Sequence, residues 1–308
     1  MNDHRLLQEL APVAEQLLER HLAASKEWFP HELVPWSRGR DFEAGEAWDP
    51  AEFPLDDAVR GALLVNLLTE DNLPYYFHII DNLFGADHPW AEWTRRWTAE
   101  EGRHSIVIRD YLTVSRAIDP VALERGRMHH VTTGFDANID GAAECLVYVA
   151  LQELATRIAH RNTGKLLGDG PGYEVMARVA ADENLHYLFY RDAVSGAIDV
   201  DPSLMVQAIF RQVRDFEMPG TGIDGFRAHA KRIAGARIYD FVSHYEQIIV
   251  PVVLRQWRVE SIEGLSADAE RVREELLRHI ERLGRVARRF EERWQEAQAP
   301  EPARAAAS

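Results

Sequence analysis

Apolar residues recur every three or four positions along most of this chain, which is the period of helices that bury one face. In residues 3–26, for example, Leu6, Leu10 and Leu17 fall on one stripe of a helix. We find no segment with the alternation of apolar and polar residues that is typical of a strand. The pattern predicts an all-α protein, with its longer helices over about 3–26, 55–84, 87–118, 136–162, and from the glycine-rich turn at 168–172 to about 196.

Prolines and aspartates predict where these helices bend and begin. Pro74 lies inside the helix predicted over 55–84 and removes a backbone hydrogen bond, so we expect a kink there. Asp87 is expected to be the N-cap of the next helix, with Pro89 in the first turn. Residues 27–54 are rich in Trp, Pro and Gly and predict a loop.

Two predicted helices are apolar on most of their faces and nevertheless carry a glutamate. Residues 63–70 run through five leucines and valines to Glu70, and residues 142–153 run through a similar stretch to Glu153. A helix that is apolar on all sides is buried. A buried carboxylate is very unfavourable unless it is paired or binds a metal ion. Each of these glutamates is therefore a candidate metal ligand.

A Glu-x-x-His motif follows each of these glutamates at nearly the same distance. Glu101 and His104 come 31 and 34 residues after Glu70, and Glu183 and His186 come 30 and 33 after Glu153. Residues three apart share one helix face, and a gap near 30 fits one helix, a turn and the return along a neighbour. Four helices then bring four carboxylates and two imidazoles together, as in di-iron or di-manganese bundles. The alternative, six ordinary surface residues, fits the apolar flanks poorly.

Composition narrows the class of protein. The chain has 308 residues, 46% of them hydrophobic, and a net charge of −15, which predicts a globular protein that does not bind nucleic acid. Its single cysteine, Cys145, excludes an internal disulfide and fits the cytoplasm. No apolar run is long enough to span a membrane, and the N-terminus lacks the apolar core of a signal peptide. We expect one domain over residues 1–296 and a disordered tail over 297–308.

Four segments resemble the ligand helices of the soluble acyl-acyl-carrier-protein (acyl-ACP) desaturases, the stearoyl-ACP desaturase family. They are TEDNLPYY at 69–76, WTRRWTAEEGRH at 93–104, QELAT at 152–156 and ADENLH at 181–186. Residues 264–267 and 288–293 are also similar to family sequence. One departure is Gly102, where the family usually has Asn. The resemblance implies a ferritin-like four-helix bundle core with additional flanking helices.

The resemblance also implies an activity and its partners. The expected enzyme uses oxygen and two iron ions per chain to introduce a double bond into a fatty acyl chain carried on acyl carrier protein. Its electrons would come from ferredoxin or a similar donor, and the protein would be a homodimer. The expected iron ligands are Glu70, Glu101, His104, Glu153, Glu183 and His186.

Further residues take their expected roles from the same resemblance. The Thr156 hydroxyl would relay protons to oxygen, unless it only bonds to its own helix. Asp182 would orient His104 as a hydrogen-bond acceptor, unless it is an exposed helix acid. Trp36 is the best match to a tryptophan that would carry electrons near this pair, against a plain packing role. The floor of the acyl channel is expected at Ile79, Asn82 and Leu83.

The acidic carrier protein needs a basic docking surface, for which the sequence offers two candidates. One is the cluster of Arg125, Arg127, His129 and His130, and the other is the set of arginines between 271 and 289. Either could be only a solvated face. Three other functions stay open from the sequence: a different di-iron oxidase or oxygenase, a non-catalytic acyl-carrier binding protein and, with less support, iron storage.

Overall fold

The computed structural model describes residues 3–135 and 138–298, and within these ranges the chain is helical with no strand. The all-α, ferritin-like fold predicted from the sequence is confirmed. The helices are α1 Asp3–Ala24, α2 Pro30–Leu33, α3 Asp57–Glu70, α4 Leu73–Phe84, α5 Trp90–Val114, α6 Pro120–Thr133, α7 Ala142–Leu166, α8 Gly170–Val200, α9 Pro202–Asp215, α10 Phe226–Gly235, α11 Phe241–His244 and α12 Ala267–Gln298. A π-helical segment, Tyr245–Gln256, continues α11.

Four of these helices, α3, α5, α7 and α8, form the bundle that carries the predicted ligands. α7 and α8 are joined by a short turn and pack along each other, while α1 covers α8 from outside. Along both α5 and α8, residues of one apolar cluster are followed by the ligand positions and then by residues of a second apolar cluster. The ligands therefore lie between two hydrophobic cores, where little water reaches them.

The first ligand helix is broken rather than kinked. The sequence predicted one helix over 55–84, but α3 ends at Glu70 and α4 begins at Leu73. Pro74 lies in the first turn of α4, where its missing N–H leaves no hydrogen bond unmade. The break places Glu70 at the very end of α3.

Helix starts follow capping chemistry in most places. Asp119, Asp169 and Asp201 each accept a hydrogen bond from a backbone N–H in the first turn of α6, α8 and α9. The predicted cap at Asp87 is wrong, because α5 begins later and Pro89 stands at its N-cap without a side-chain bond. A cis peptide bond joins His88 to Pro89.

The predicted disordered tail, 297–308, lies almost entirely outside the described residues, although α12 continues to Gln298. The predicted domain extent, 1–296, stays a prediction. Among the described residues, no helix is both long enough and apolar enough to cross a bilayer.

Candidate metal centre

The six predicted ligands come together in the interior of the bundle. Glu70 ends α3, Glu101 and His104 lie in the middle of α5, Glu153 lies in α7, and Glu183 and His186 lie in α8. All six side chains are buried. The spacing argument therefore predicted their proximity correctly.

The ligand atoms fall into two groups of four that have two residues in common. One group is Glu70, Glu101, His104 and Glu183, and the other is Glu101, Glu153, Glu183 and His186. Within each group the candidate ligand atoms all lie within 4.8 Å of one another. Glu101 and Glu183 belong to both groups, so each of these two carboxylates would be available to either ion. Glu70 and Glu153 each belong to one.

Both histidines turn the same nitrogen inward. His104 Nδ1 lies 3.3 Å from Glu101 and 3.5 Å from Glu183, and His186 Nδ1 lies 2.7 Å from Glu101 and 3.5 Å from Glu153. Their Nε2 atoms point away from the cluster, to Asp182 and Glu100 respectively. An outward N–H on Nε2 leaves the Nδ1 lone pair free for a cation.

The unpaired atoms of this cluster fit a metal. Among the described residues, Oε1 of Glu101, Oε2 of Glu153 and the Nδ1 atoms of both ligand histidines are buried without a hydrogen-bond partner. The 2.7 Å approach of His186 Nδ1 to Glu101 Oε1 also lacks hydrogen-bond geometry. Buried acceptors that converge unpaired are costly unless a cation lies between them. The oxygen and nitrogen donors suit iron or manganese.

The electrostatics of the cluster demand positive charge. Burial and the carboxylates of Glu183 and Glu101 raise the pKa of Glu153 well above its ordinary value. Burial alone would lower the pKa of His186, but Glu100, Glu101 and Glu153 together raise it well above the usual range. Burial alone would lower the pKa of His104 too, but Glu101, Asp182 and Glu183 raise it. These shifts have one cause in common, which is the concentration of carboxylates around the cluster, and divalent cations would offset that negative charge.

Asp182 lies where the sequence predicted, beside His104, but its tryptophan neighbour is a different one. His104 Nε2 is 3.6 Å from Asp182 Oδ2, and the indole Nε1 of Trp28 donates to the same oxygen at 2.8 Å. Trp36 is 48% exposed and donates to the backbone oxygen of His31 instead. The placement of Trp36 near His104 was therefore wrong, and Trp28, only 7% exposed, occupies that position.

Two arginines contact Asp182 and Trp28 on the side away from His104. Arg103 lies 3.3 Å from Asp182 and places its guanidinium 4.7 Å from the centre of the Trp28 ring. Arg178 also pairs with Asp182. Burial would raise the pKa of Asp182, but His104 and Arg178, together with the Trp28 hydrogen bond, lower it, so the carboxylate stays ionised.

A matching pair on the other side of the cluster was missed from the sequence. His186 Nε2 donates to Glu100 Oε2 at 3.0 Å, and His21 of α1 donates to the same oxygen at 2.8 Å. Arg96 pairs with the other oxygen at 2.5 Å. The sequence contained a signal for Glu100, because an acid comes directly before each Glu-x-x-His motif: Glu100 before Glu101, and Asp182 before Glu183. Each of these acids faces the histidine of the opposite Glu-x-x-His motif.

Thr156 and an unpredicted histidine, His160, contact ligand carboxylates from α7. Thr156 Oγ1 donates to Glu183 Oε2 at 3.0 Å, and it also lies 3.1 Å from the backbone oxygen of Glu153. His160 Nε2 lies 3.0 Å from Glu70 Oε1. Burial would lower the pKa of His160, but Glu183 and Glu70 raise it to about 9. The sequence contained a signal for His160, because positions 153, 156 and 160 fall on one face of a helix and Glu153 was already a predicted ligand.

 

Two apolar cavities meet at the cluster. The first lies between α4, α5 and α7, reaches Glu70, Glu101 and Glu153, and is lined mainly by apolar and aromatic side chains: Tyr76, Ile79, Ile80, Trp97, Phe135, Cys145, Tyr148 and Val149. The second lies between α3, α7 and α10 and reaches Glu70, Thr156 and His160. Thr69 and Glu70 line both cavities, so the two spaces approach each other beside the ligands.

The expected channel floor is partly wrong. Ile79 lines the first cavity as predicted. Asn82 is exposed and bonds to His78 at 3.0 Å, because both residues lie on the polar face of α4. Leu83 is half-buried and packs against the larger apolar core without lining the cavity. Ile80 and Cys145 lie in the wall instead.

Comparisons with known proteins agree with this geometry. A family model described as fatty acid desaturase matches residues 2–305. DesA1 of Mycobacterium tuberculosis, which carries the name of an acyl-ACP desaturase, is 40% identical over 301 residues, covering 94% of this chain and 89% of its own. Stearoyl-ACP 9-desaturase 6 of Arabidopsis thaliana is 32% identical, covering 86% of this chain and 77% of its own.

This chain belongs to the acyl-ACP desaturase family. A solved structure agrees: the X-ray structure of DesA2 from Mycobacterium tuberculosis, titled as an acyl-ACP desaturase, matches with a TM-score of 0.70 and 28% identity. The match covers 84% of this chain and 97% of that one.

Gly102 marks where this acyl-ACP desaturase sequence departs from the usual family pattern. A Cβ atom added at Gly102 would meet only Leu73 Cδ2, at 4.0 Å. A larger side chain therefore has room, and nothing in the structure explains the glycine.

Proposed function

We propose that this protein is an oxygen-dependent di-iron desaturase that acts on a fatty acyl chain carried by acyl carrier protein. The observation that carries the proposal is the pair of four-ligand groups sharing Glu101 and Glu183, set where two apolar cavities meet. An unactivated methylene has no acidic proton, so its oxidation needs redox chemistry that side chains alone do not supply.

The ligand set suits two ferrous ions. Glu70, Glu101, Glu153 and Glu183 balance the charge of two divalent cations, and the neutral imidazoles of His104 and His186 complete the set. When bound, the iron pair would react with oxygen and supply the oxidising power for hydrogen removal.

The surrounding residues bind and orient. The apolar walls of the first cavity, including Ile79 and Ile80, would hold the hydrocarbon chain beside the cluster and exclude water. Thr156 holds a proton on Oγ1 next to Glu183, and His160 holds one next to Glu70. These two groups are the nearest proton donors to the cluster from α7.

Electrons from ferredoxin or a similar donor would need a route from the surface to the cluster. Trp28, Asp182 and His104 form a continuous line of contacts, and Arg103 covers the outer face of the Trp28 ring. We assign to Trp28 the role that the sequence had suggested for Trp36. A homodimer, expected from the family, remains part of the proposal.

The test is product mass and metal content together. Protein loaded with ferrous iron should contain about two iron ions per chain. With oxygen, ferredoxin and a reductase it should convert stearoyl-ACP to a product two mass units lighter. A product sixteen units heavier would favour an oxygenase on the same scaffold instead.

A matched variant separates catalysis from carrier binding. Glu153→Gln keeps the shape of the side chain but removes one ligand charge, so turnover should be lost while stearoyl-ACP binding persists. If the iron-loaded wild-type protein binds several acyl-ACPs and changes the mass of none, a non-catalytic carrier-binding protein is the better description.

A further inference from the structure

Helix α10 differs in charge from the other long helices. Over Phe226–Gly235 it carries Arg227, His229, Lys231 and Arg232 and no acidic residue. Every other helix of ten or more residues in the described part of the chain contains at least one Asp or Glu. In a chain with a net charge of −15, a helix of purely basic character is a local exception.

The charges of α10 are available to a partner. Arg227, Lys231 and Arg232 are exposed, and none of them forms an ion pair within residues 3–135 and 138–298. His229 is half-buried, and burial together with the Arg232 charge lowers its pKa, so it adds little positive charge at neutral pH. These three cations define a basic surface, which we call the α10 surface. Arg232 also borders a groove that contains Asp57 and Asp119, so Arg227 and Lys231 contribute most of the positive charge.

The opposite face of α10 forms a wall of the second cavity. Phe226, Ala230 and Ile233, spaced four and three residues apart, line that cavity together with residues of α3 and α7. The same cavity reaches Glu70, Thr156 and His160 at the candidate metal centre. One short helix thus carries the basic surface on its outside and borders a path to the ligands on its inside.

The two basic clusters suggested by the sequence are less suited to an acidic partner. Helix α12 has eight arginines but also eight acidic residues, and Arg271 and Arg273 pair with acids one turn away. In the α6 cluster, Arg127 pairs with Glu124, and His130 is buried. Neighbouring opposite charges cancel most of the field that would attract a partner.

We propose that the α10 surface, centred on Arg227, Lys231 and Arg232, is where the acidic acyl carrier protein docks. The acyl chain would enter past Ala230 and Ile233 toward the metal centre. Charge complementarity selects this occupant, and the cavity behind the helix distinguishes it from an acidic electron donor, which needs no path for a chain. This inference rests on the proposed function.

The experiment reverses the charge of α10 and measures binding separately from turnover. The double variant R227E/K231E, the milder R227Q/K231Q and the control R278E/R282E on the balanced helix α12 are all loaded with iron. Fluorescence anisotropy at low ionic strength measures the Kd for labelled stearoyl-ACP. We expect R227E/K231E to bind at least tenfold more weakly, R227Q/K231Q to lie in between, and the control to stay within twofold of wild type.

Kinetics and salt dependence provide independent readouts. The α10 variants should raise KM for stearoyl-ACP and leave kcat at saturation nearly unchanged, because they lie outside the metal centre. Added salt should weaken binding by the wild-type protein more than by R227E/K231E. Iron content and circular dichroism equal to those of the wild type would show that the variants are folded. If R227E/K231E does not fold, R227Q/K231Q provides the test.

Three results would overturn the docking site: unchanged affinity in R227E/K231E, an equal loss in the α12 control, or a raised KM for ferredoxin alone. The last would assign the α10 surface to the electron donor. Failure of the proposed function looks different, because wild-type protein would then bind stearoyl-ACP without converting it. In that case the anisotropy measurements still decide whether α10 is the docking surface.

Discussion

At the scale of single residues, the central feature is that Glu101 and Glu183 each belong to both metal-binding groups. Each of the other ligands belongs to only one of these two groups of four. A change at a shared carboxylate therefore disturbs two positions, whereas a change at a terminal carboxylate disturbs one.

Substitution of the two kinds of glutamate should give different iron contents. We expect Glu183→Gln to reduce bound iron from about two to well below one per chain, because both groups lose a charged ligand. Glu153→Gln should retain roughly one. Metal analysis after reconstitution with ferrous iron and gel filtration measures this, and equal losses in the two variants would argue against shared ligation.

The acids behind the histidines offer a second residue-scale prediction. Asp182→Asn and Glu100→Gln each remove the charge that orients a ligand imidazole, at His104 and His186 respectively. Loss of such a partner typically weakens metal binding by about 10- to 100-fold. Competition with a ferrous chelator measures the affinity. Glu92→Gln, an exposed change in the same helix as Glu100, is the control and should behave as wild type.

Away from the metal centre, His244 should make stability depend on pH. Burial lowers its pKa to about 4, compared with 6.5 for a free histidine. Between these values the unfolded chain binds a proton that the folded chain does not. The free energy of unfolding should therefore fall as the pH drops from 6.5 toward 4, by on the order of 1–2 kcal/mol at pH 5.

The variant His244→Gln removes this titration and keeps an acceptor for the Tyr239 hydroxyl, which lies 2.8 Å from His244 Nδ1. Urea unfolding of both proteins without metal, at pH 7 and pH 5, gives the two differences in free energy. The variant should lose less stability on acidification, and the same loss in both proteins would contradict the assignment.

Residue-level prediction from sequence succeeded where helical periodicity applied. The six ligands lie on regular helices, so their spacing determined their shared face. Trp28 and Trp36 lie in or beside an irregular loop, where no periodicity tells which side chain points inward. Asn82 was misplaced because its role was carried over by position, although the neighbouring polar residues His78 and Asp81 already marked that face of α4 as exposed.

At the scale of elements, the turn between α7 and α8 holds two ligand helices at a fixed separation. Gly172, in the first turn of α8, lies so close to α5 and to the end of α7 that an added Cβ would overlap the Tyr111 hydroxyl of α5 and the Leu167 side chain that follows α7. Gly170, two residues earlier, has no atom within 4 Å of the same position.

These two glycines form a matched pair for mutation. Gly172→Ala should lower the free energy of unfolding by roughly 1–3 kcal/mol, because packed side chains must move. Gly170→Ala should change it by less than about 1 kcal/mol, since the methyl group meets nothing. Chemical denaturation of both variants under one set of conditions measures the difference, and equal effects would show that the contact at Gly172 relaxes freely.

Sequence periodicity predicted the existence of the helices better than their interruptions. It predicted one kinked helix where α3 and α4 are separate. A proline in the sequence indicates that a helix is disturbed, but it does not indicate whether the helix bends or ends. Periodicity also does not distinguish an α-helix from a π-helix, and Tyr245–Gln256 is π-helical around Pro251. The hydrogen-bond register of a helix is set by packing, and Ile248, Ile249, Val252 and Val253 are all buried.

At the scale of the whole molecule, the metal centre concentrates negative charge in the interior, which is unfavourable for the folded state without bound cations. Four carboxylates lie between two hydrophobic cores, and buried histidines offset part of their charge. Binding of cations to the folded state alone must stabilise it by mass action.

Metal removal should therefore lower the melting temperature of the whole protein. We expect the apo protein to melt roughly 5 °C or more below the iron-loaded protein, since ligand at about 100 times its Kd contributes about 2.7 kcal/mol. Calorimetry before and after treatment with a chelator measures the shift. Glu153→Gln should show a smaller shift, and an unchanged melting temperature in the wild type would contradict a metal bound at the core.

The shared carboxylates also bear on how such a chain could have arisen. Each half of the sequence supplies three of the four residues of one group, and one of those three also belongs to the other group. Glu183 joins Glu70, Glu101 and His104, while Glu101 joins Glu153, Glu183 and His186. Neither half alone contains a complete site. If an ancestor had only one copy of the repeated motif, it could have assembled the centre only by associating with a second molecule, and gene duplication would then have turned an intermolecular contact into an intramolecular one.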